Sequence, residues 1–292
     1  MNKQSNFSPP WLSLAPAIAI IGLLFGVSVL YGLAQSFGIL TGTEQEALNL
    51  DAYRNVIAGQ GPAGREFWSS FGFSLWIAGI STFVSAIGGF LVAVWLNGRR
   101  GRGSRGDTLT LNWNLAFPHL VWAIGLLLFF SQSGLLARIL ASMGIIQTPS
   151  QFPVLVRDRL GIGIIVDYIS KEIPFLALIV LAVLRSQAEN FEVVAENLGA
   201  SRWQRLRYVT IPQVLPSLLS GSLLVFAFVF SAYEVPALLG VRYPRMLPVL
   251  ALEFFTNPDL NSRAEGMVIS LAITVVVMII AAISIKFEKK IG

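Results

Sequence analysis

Two apolar stretches of this sequence carry charged or polar aromatic residues shortly before a proline. They are Asp167, Lys171 and Glu172 before Pro174, and Tyr233 and Glu234 before Pro236. Ionisable side chains are costly in lipid, so they usually face the interior of a helix bundle and often mark a pathway. We therefore predict that the three acidic residues and Tyr233 line a cavity for a polar or cationic solute.

A structural role is the alternative interpretation of the same charges. Asp167 and Lys171 are four residues apart, so on a helix they share one face and can form an ion pair. The charged side chains could also pair between helices, or lie nearer the membrane interface than the hydropathy suggests. Pro174 lacks an amide N–H and can kink the helix that carries it.

Catalytic and metal-binding chemistry find little support in the sequence. The absence of cysteine excludes a disulfide framework, a thiolate nucleophile and a cysteine metal site. His119 is the single histidine, and we interpret it as a hydrogen-bonded helix residue rather than a catalyst. No Gly-x-x-x-x-Gly-Lys-Ser/Thr phosphate loop occurs, and the basic, glycine-rich stretch 98–106 is interpreted as a flexible loop. We predict no catalytic residue, metal ion or cofactor.

The composition is typical of a membrane protein. Of the 292 residues 54% are hydrophobic and 13% charged, and the mean hydropathy is +0.69. A soluble domain carries about 25% charged residues. The net charge of +5 fits either nucleic-acid binding or basic loops kept on the cytoplasmic side of a membrane. The second explanation suits a membrane protein better, so we expect no nucleic-acid partner.

Six apolar segments reach the length of about 20 residues that a transmembrane helix needs. They are Trp11–Leu33, Phe67–Leu96, Leu111–Ser131, Gly161–Leu184, Ser217–Leu239 and Ala264–Ile285. The first is longer than the apolar run of a signal peptide and no clear cleavage site follows it, so we expect it to be retained. The predicted fold class is all-α, a polytopic membrane protein with about six transmembrane helices.

The distribution of basic residues predicts the orientation. Twelve lysines and arginines lie in the termini and loops of one side, and eight lie in the loops of the other. The larger set is concentrated in short loops beside helix ends, where the positive-inside rule acts most strongly. We therefore place both termini and the loop 185–216 in the cytoplasm. The loops 35–66, 132–160 and 240–263 then face the opposite side.

The loop Arg185–Pro216 is polar, yet its first part has a helical pattern. Apolar residues recur at i, i+3, i+4 and i+7 and form one helical face: Phe191, Val194, Ala195 and Leu198. Gly199 then ends the helix, because glycine adopts the left-handed conformation without penalty. The first part therefore predicts an amphipathic helix that stops at Gly199.

A second short helix follows the glycine. Ser201 can cap its start. Apolar Trp203, Leu206 and Val209 alternate with basic Arg202, Arg205 and Arg207. We expect Pro212 and Pro216 to stop this helix and lead into the next span. The whole loop thus predicts a projecting hairpin with an apolar face and a charged rim.

The hairpin resembles the EAA loop of permeases of ATP-binding-cassette (ABC) importers. The pattern of that family is Glu-Ala-Ala, three residues, Gly, nine residues and Ile-x-Leu-Pro. Three residues separate Ala195 from Gly199, nine separate Gly199 from Val209–Pro212, and Leu-Gly-Ala-Ser at 198–201 is typical. The resemblance extends from about residue 67 to the C-terminus. It divides the sequence into an N-terminal helix with a periplasmic loop (1–66), a core transmembrane domain (67–286) and a short cytoplasmic tail (287–292).

The loop departs from the family pattern at its start. Val193 and Val194 take the positions of the glutamate and the first alanine, and Glu192 stands one residue early. With these substitutions, the sequence does not predict whether the contact made by the family's glutamate is kept. They do not disturb the predicted helix, glycine bend and second helix.

The resemblance implies that this loop carries a coupling helix, which binds a groove of a separate ATPase subunit. The implied coupling residues are Glu192, Ala195, Leu198, Gly199, Ala200, Ser201, Arg202 and Pro212. An alternative for an amphipathic helix is contact with lipid headgroups alone. Further implied partners are an ATPase dimer, a second permease, either identical or more often different, and a periplasmic or lipid-anchored binding protein. The implied location is the bacterial cytoplasmic membrane.

The substrate is less well specified. Tyr233–Gly240 and Lys171–Phe175 resemble the branch that serves spermidine/putrescine, thiamine, ferric iron, sulfate and aminoethylphosphonate. Within that branch we favour an organic cation, polyamine or thiamine, with iron, sulfate or phosphonate as alternatives. Two other classes are an ion-coupled secondary transporter and an intramembrane enzyme or assembly factor. Helices broken at Pro118, Pro174 and Pro236 would suit the first of these classes.

Overall fold

The computed structural model describes residues 10–39, 48–98, 104–186, 188–259 and 262–291. Within these ranges the chain forms helices and no strands, which confirms the predicted all-α fold. The α-helices are α1 Pro10–Ser36, α2 Asp51–Ala58, α3 Gly61–Asn97, α4 Ser104–Ala116, α5 His119–Phe130, α6 Leu135–Ser142, α7 Ile162–Ser186, α8 Ala188–Asn197, α9 Arg202–Arg205, α10 Ile211–Ser231, α11 Glu234–Leu239, α12 Leu247–Phe255 and α13 Ser262–Ile291. Lys3 and residues 99–103 of the basic stretch lie outside the described residues.

Five helical segments in the described ranges are long and apolar enough to cross a membrane: Leu14–Ser36, Gly61–Asn97, His119–Ser142, Arg202–Ser231 and Ser262–Lys286. The polytopic character predicted from the sequence is thereby confirmed. The predicted span Gly161–Leu184 coincides with α7, whose 25 residues suffice in length. Its charged residues make it less apolar than the other five, so its crossing stays a prediction.

Two predicted spans are interrupted rather than continuous. The segment Leu111–Ser131 divides into α4 and α5 at Phe117 and Pro118, because Pro118 adopts an extended ψ of 145° and has no N–H to donate. The segment Ser217–Leu239 divides into α10 and α11 at Ala232, whose ψ is 137°. Each interruption leaves backbone groups that need partners from elsewhere.

The other two prolines expected to break helices do not do so. Pro174 lies inside α7, which continues to Ser186. Pro236 lies in the first turn of α11, where a missing N–H removes no helical hydrogen bond. The break before α11 therefore occurs at Ala232, ahead of the proline.

The chain divides into two compact units, of which the first comprises residues 1–65 and 251–271. In its described part, the side-chain amide of Asn55 donates to Glu265 at 3.0 Å. The hydroxyl groups of Ser36 and Tyr53 lie 2.8 Å apart. Most apolar side chains of α1 are exposed, as expected of a helix that faces lipid.

The second unit comprises residues 66–250 and 272–292 and is built around α7. Helices α4, α5, α10 and α11 all pack against α7. Close approach depends on glycine: a methyl group at Gly89 would lie 2.8 Å from Cβ of Leu176, and one at Gly221 would lie 3.0 Å from Cδ2 of the same leucine. Small residues at such contacts let transmembrane helices pack closely. Helix α7 is consequently enclosed, which explains how it holds charged side chains.

Candidate functional site

Helix α8 ends at Gly199 in the geometry that the sequence predicted. The glycine has a φ of 81°, in the left-handed region. Its N–H donates to the Glu196 carbonyl at 2.9 Å, and the N–H of Ala200 donates to the Ala195 carbonyl at 3.0 Å. This pair of hydrogen bonds satisfies carbonyl groups at the end of α8 and fixes the bend.

Ser201 starts the next helix as a capping residue. Its Oγ accepts from the N–H of Gln204 at 3.3 Å, and Oε1 of Gln204 accepts from the N–H of Ser201 at 2.8 Å. This reciprocal pair is a capping box. The turn between α8 and α9 is therefore specified on both sides, by Gly199 and by Ser201.

The second helix of the loop does not stop at the prolines, contrary to the prediction. Helix α9 continues through a π-helical turn, Leu206–Thr210, directly into α10. The N–H of Ile211 donates to the carbonyl of Leu206, five residues back. Pro212 occupies the first turn of α10, where the wider π turn accommodates its missing N–H, and Pro216 lies inside α10. Helix α9, the π turn and α10 therefore form one continuous helix.

The polar residues of the loop hold its two helices together. Arg205 forms an ion pair with Glu196, which joins α9 to α8. Two of the predicted coupling residues, Glu192 and Arg202, line a cavity of about 520 Å³ beside that pair. The cavity is also lined by Asn97 and Gly98 and by Leu184, at the ends of α3 and α7. The sequence pattern did not indicate the pairing of Glu196 with Arg205.

The apolar face of the loop is uncovered in the chain by itself. Leu198 is 82% exposed and Phe191 61% exposed, and Val194 and Trp203 are also exposed. Ala195, on the same helix, is partly buried. Large apolar side chains clustered on a polar segment mark a surface for a partner or a membrane.

A second group of candidate functional residues, the charged cluster, lies inside the bundle. It consists of His119 at the start of α5 and of Asp167 and Glu172 on α7. His119 Nδ1 is 3.7 Å from Asp167 Oδ2, and His119 Nε2 is 3.6 Å from Glu172 Oε1. Asp167 is 0% exposed, and Glu172 is also buried. The single histidine thus spans the two acidic residues that the sequence placed on a pathway.

Lys171 does not form the predicted ion pair with Asp167. Its Nζ donates to the backbone carbonyl oxygens of Asn114, at 2.6 Å, and Phe117. Asn114 lies in the last turn of α4 and Phe117 just after it. Because Pro118 has no N–H, the Asn114 carbonyl accepts only a long backbone hydrogen bond, from the N–H of Phe117 at 3.4 Å. The lysine therefore caps an interrupted helix, while its charge still interacts with Asp167 and Glu172 through space.

Neighbouring polar residues fix the positions of α4 and α5 against α7. The Asn114 side chain donates to the Ser170 carbonyl at 2.8 Å. The indole N–H of Trp122 donates to Ser170 Oγ at 2.6 Å. Through these contacts α7 holds both halves of the broken segment, and His119 stands at the joint.

Tyr233 and Glu234 are not part of the buried cluster. They lie at the second interruption, between α10 and α11, and both side chains are exposed. Helix α11 itself packs against α5 and α7. The structure thus brings Asp167 and Glu172 together with His119 and leaves the other two predicted pathway residues at an accessible joint.

His119 was not among the predicted pathway residues. Its position in the sequence could have indicated such a role. His119 lies in an apolar segment, directly after Pro118, where the sequence predicted a helix break. Within the described ranges, no group of three or more His, Asp and Glu side chains is arranged to hold a metal ion.

Comparison with known proteins is consistent with this architecture. The chain is 31% identical over 195 residues to the inner membrane ABC transporter permease protein YnjC of Escherichia coli, covering 66% of this chain and 36% of YnjC. It is 37% identical over 93 residues to the molybdate/tungstate transport system permease protein WtpB of Thermococcus kodakarensis, covering 32% of this chain and 37% of that protein. The matched segments thus span little more than a third of these two relatives.

A further relative is matched over a larger share of its length. The putrescine transport system permease protein PotI of Escherichia coli is 26% identical over 200 residues, which cover 67% of this chain and 66% of PotI. The fold resembles a chain of a bacterial ABC transporter involved in the import of the acidic polysaccharide alginate. The TM-score is 0.71 at 18% identity, covering 94% of this chain and 96% of that one.

The family itself is identified by the segment that contains both groups of residues. Residues 89–287 match the family described as the binding-protein-dependent transport system inner membrane component. This segment includes α4 to α12, the loop around Gly199 and the charged cluster. The chain belongs to the family of binding-protein-dependent transport system inner membrane components.

Proposed function

We propose that the chain is the permease subunit of an ABC importer. It forms half of a translocation pathway and couples ATP hydrolysis by a partner ATPase to the uptake of a solute. The observation that carries this proposal is the loop of α8, Gly199 and α9 with its uncovered apolar face. An amphipathic helix that places an apolar face in a groove is a common form of recognition. The chain itself has no phosphate-binding loop.

The geometry of the loop suits the transmission of movement. The capped bend and the Glu196–Arg205 pair hold α8 and α9 as one body. Because α9 continues through the π turn into α10, a displacement of the loop moves α10 with it. The coupling residues Glu192, Ala195, Leu198, Gly199, Ala200, Ser201, Arg202 and Pro212 all lie on this continuous unit.

The orientation and partners follow from this role. The loop and both termini lie in the cytoplasm of a bacterium, and the chain crosses the inner membrane six times. One chain supplies half of the pathway, so a second permease, identical or different, completes it. An ATPase dimer binds the loops, and a periplasmic or lipid-anchored protein delivers the solute. The larger set of basic residues beside the helix ends supports this orientation.

We favour a small organic cation as the solute, a polyamine or thiamine. Asp167 and Glu172 place two carboxylates inside the bundle, and Tyr233 and Glu234 stand at an accessible joint beside it. Buried carboxylates disfavour an anion such as sulfate or a phosphonate, which remain alternatives together with iron. An ion-coupled secondary transporter is a weaker candidate, since its coupling site would have to lie in this chain.

Replacement of one apolar residue tests the docking. Leu198→Asp puts a charge in the centre of the uncovered face, so we expect it to reduce co-purification of the ATPase by about tenfold or more. Leu48→Asp is the control, because Leu48 is 74% exposed and lies far from the loop in sequence. Equal amounts of ATPase with both variants would refute the proposal, as would uptake by the purified chain alone under an ion gradient.

A further inference from the structure

The charged cluster contains unused hydrogen-bond acceptors. In the described residues, neither carboxylate oxygen of Asp167 has a hydrogen-bond partner, and the same holds for His119 Nδ1 and the Tyr168 hydroxyl. Asp167 and Tyr168 are both 0% exposed. The distances of 3.7 and 3.6 Å from the imidazole to the two acids exceed those of charge-assisted hydrogen bonds, about 2.7–2.9 Å. Because buried polar groups normally have hydrogen-bond partners, these atoms point to a donor supplied from outside the chain.

Two aromatic rings pack with the imidazole of His119, which lies beside the buried carboxylate of Asp167. The ring centroids of His119 and Tyr168 are 5.9 Å apart, those of His119 and Phe228 are 5.1 Å apart, and those of Tyr168 and Phe228 are 6.3 Å apart. The faces of such rings attract cations, most strongly where water is excluded. The three rings come from α5, α7 and α10, and Asp167 is next to Tyr168 in the chain. A carboxylate beside aromatic rings is the chemistry that recognises an ammonium group.

The lysine beside the two acids donates its hydrogen bonds to other groups. Lys171 is buried, and its ammonium donates to the carbonyls of Asn114 and Phe117 at the end of α4. Asp167 and Glu172 attract the Lys171 charge through space but receive no hydrogen bond from it, and His119 contacts both acids only loosely. Two residues of the site reach the surface, since Phe228 is 42% exposed and His119 is only partly buried, whereas Asp167 and Tyr168 are fully buried.

We propose that His119, Asp167, Tyr168, Glu172 and Phe228 form a binding site for an ammonium group that carries N–H donors. The N–H groups donate to the carboxylate of Asp167 and to neighbouring acceptors, and the rings of Tyr168 and Phe228 enclose the charge. This inference rests on the proposed import function and narrows its substrate class. A primary or secondary amine satisfies the unused acceptors, whereas a quaternary or thiazolium nitrogen offers them no donor.

Equilibrium binding to the full chain in lipid nanodiscs tests this site. The probe is radiolabelled 1,4-diaminobutane, and the competitor is its hexamethyl derivative, which keeps both charges but has no N–H. We expect saturable binding of the diamine, weakened by about tenfold or more in Asp167→Asn because a charge-assisted interaction is lost. The hexamethyl derivative should compete at least about tenfold less well than unlabelled diamine.

Matched variants keep the result interpretable. Glu253→Gln removes an exposed carboxylate of α12 and should bind like the wild type. Tyr168→Phe removes only a hydroxyl and should also weaken binding. It replaces Asp167→Asn as the test if size-exclusion chromatography shows that Asp167→Asn does not fold. Absence of diamine binding to the wild type, equal binding by wild type, Asp167→Asn and Tyr168→Phe, or equal competition by the hexamethyl derivative would each overturn the site.

The assay separates this inference from the proposed function. It needs neither the ATPase nor the binding protein, so a failed ATPase pull-down with normal diamine binding rejects only the import function. Conversely, a normal pull-down without diamine binding rejects only the ammonium site.

Discussion

Lys171 shows how a buried charged side chain can have a structural role. The break at Pro118 frees carbonyl groups at the end of α4, and the lysine on the neighbouring α7 supplies donors to two of them. A charged donor to a neutral carbonyl makes a stronger hydrogen bond than a neutral pair. The acids of the charged cluster consequently receive no hydrogen bond from this ammonium group.

Removal of this ammonium group should destabilise the fold. Lys171→Met keeps the length and apolar stem but leaves the carbonyls of Asn114 and Phe117 without their donor. We expect the free energy of unfolding to fall by about 2 kcal/mol. Thermal unfolding of the purified chain in detergent measures the change. Arg242→Met, at an exposed cation, is the control, and an unfolding midpoint of Lys171→Met equal to that of the control would contradict the capping role.

The sequence could identify these residues but not their partners. The spacing of Asp167 and Lys171 is correct for an ion pair on one helix face, yet carbonyls from another helix receive the lysine instead. His119 was interpreted as an ordinary helix residue, although its imidazole spans Asp167 and Glu172. Both outcomes depend on how α4, α5 and α7 pack, and residue spacing along one helix contains no information about that packing.

At the scale of the elements, α7 is the helix against which much of the second unit packs. Two of its contacts depend on glycines of α3, since methyl groups at Gly88 and Gly89 would lie 2.7 Å from Ile173 Cδ1 and 2.8 Å from Leu176 Cβ. Contacts this short are below normal van der Waals separation. The close packing keeps α7 enclosed and its charged residues away from lipid.

One methyl group added to α3 at this contact should therefore push α3 and α7 apart. We expect Gly89→Ala to lower the free energy of unfolding by about 1–3 kcal/mol, because the packed helices cannot move apart without cost. Gly79→Ala is the matched control on α3, since nothing lies within 4 Å of the added carbon. There alanine's higher helix propensity should leave stability unchanged or slightly raised. Chemical denaturation in detergent compares the two, and equal stabilities would contradict the close approach.

The element boundaries show where sequence patterns are reliable. The glycine end of α8 and the serine start of α9 follow from local backbone chemistry and were predicted correctly. The stop at Pro212 was wrong, because a π turn before the proline lets the helix continue. The break at Ala232 was missed because no residue at that position is itself a helix breaker. Local signals indicate where a helix can end, and tertiary packing decides whether it does.

At the scale of the whole molecule, the proposed function requires partners on both faces of the membrane. The family match covers residues 89–287, whereas α1 and α2 lie outside it. The loop around Gly199 presents its apolar face on the side that we assign to the cytoplasm. The charged cluster lies within the bundle, so the proposed docking surface and the proposed solute site occupy separate parts of the chain. Helices α7 and α10 connect the two parts.

Site-specific photo-cross-linking in intact cells tests this account most directly. A benzophenone amino acid at Leu198 stands on the apolar face of the loop, and the same amino acid at Leu160 stands on an exposed loop assigned to the opposite side of the membrane. We predict that mass spectrometry of the Leu198 adduct identifies a chain with a Gly-x-x-x-x-Gly-Lys-Ser/Thr phosphate loop, and that the Leu160 adduct contains no such chain. An ATPase adduct that is absent at Leu198, or equally abundant at both positions, would contradict coupling through this loop.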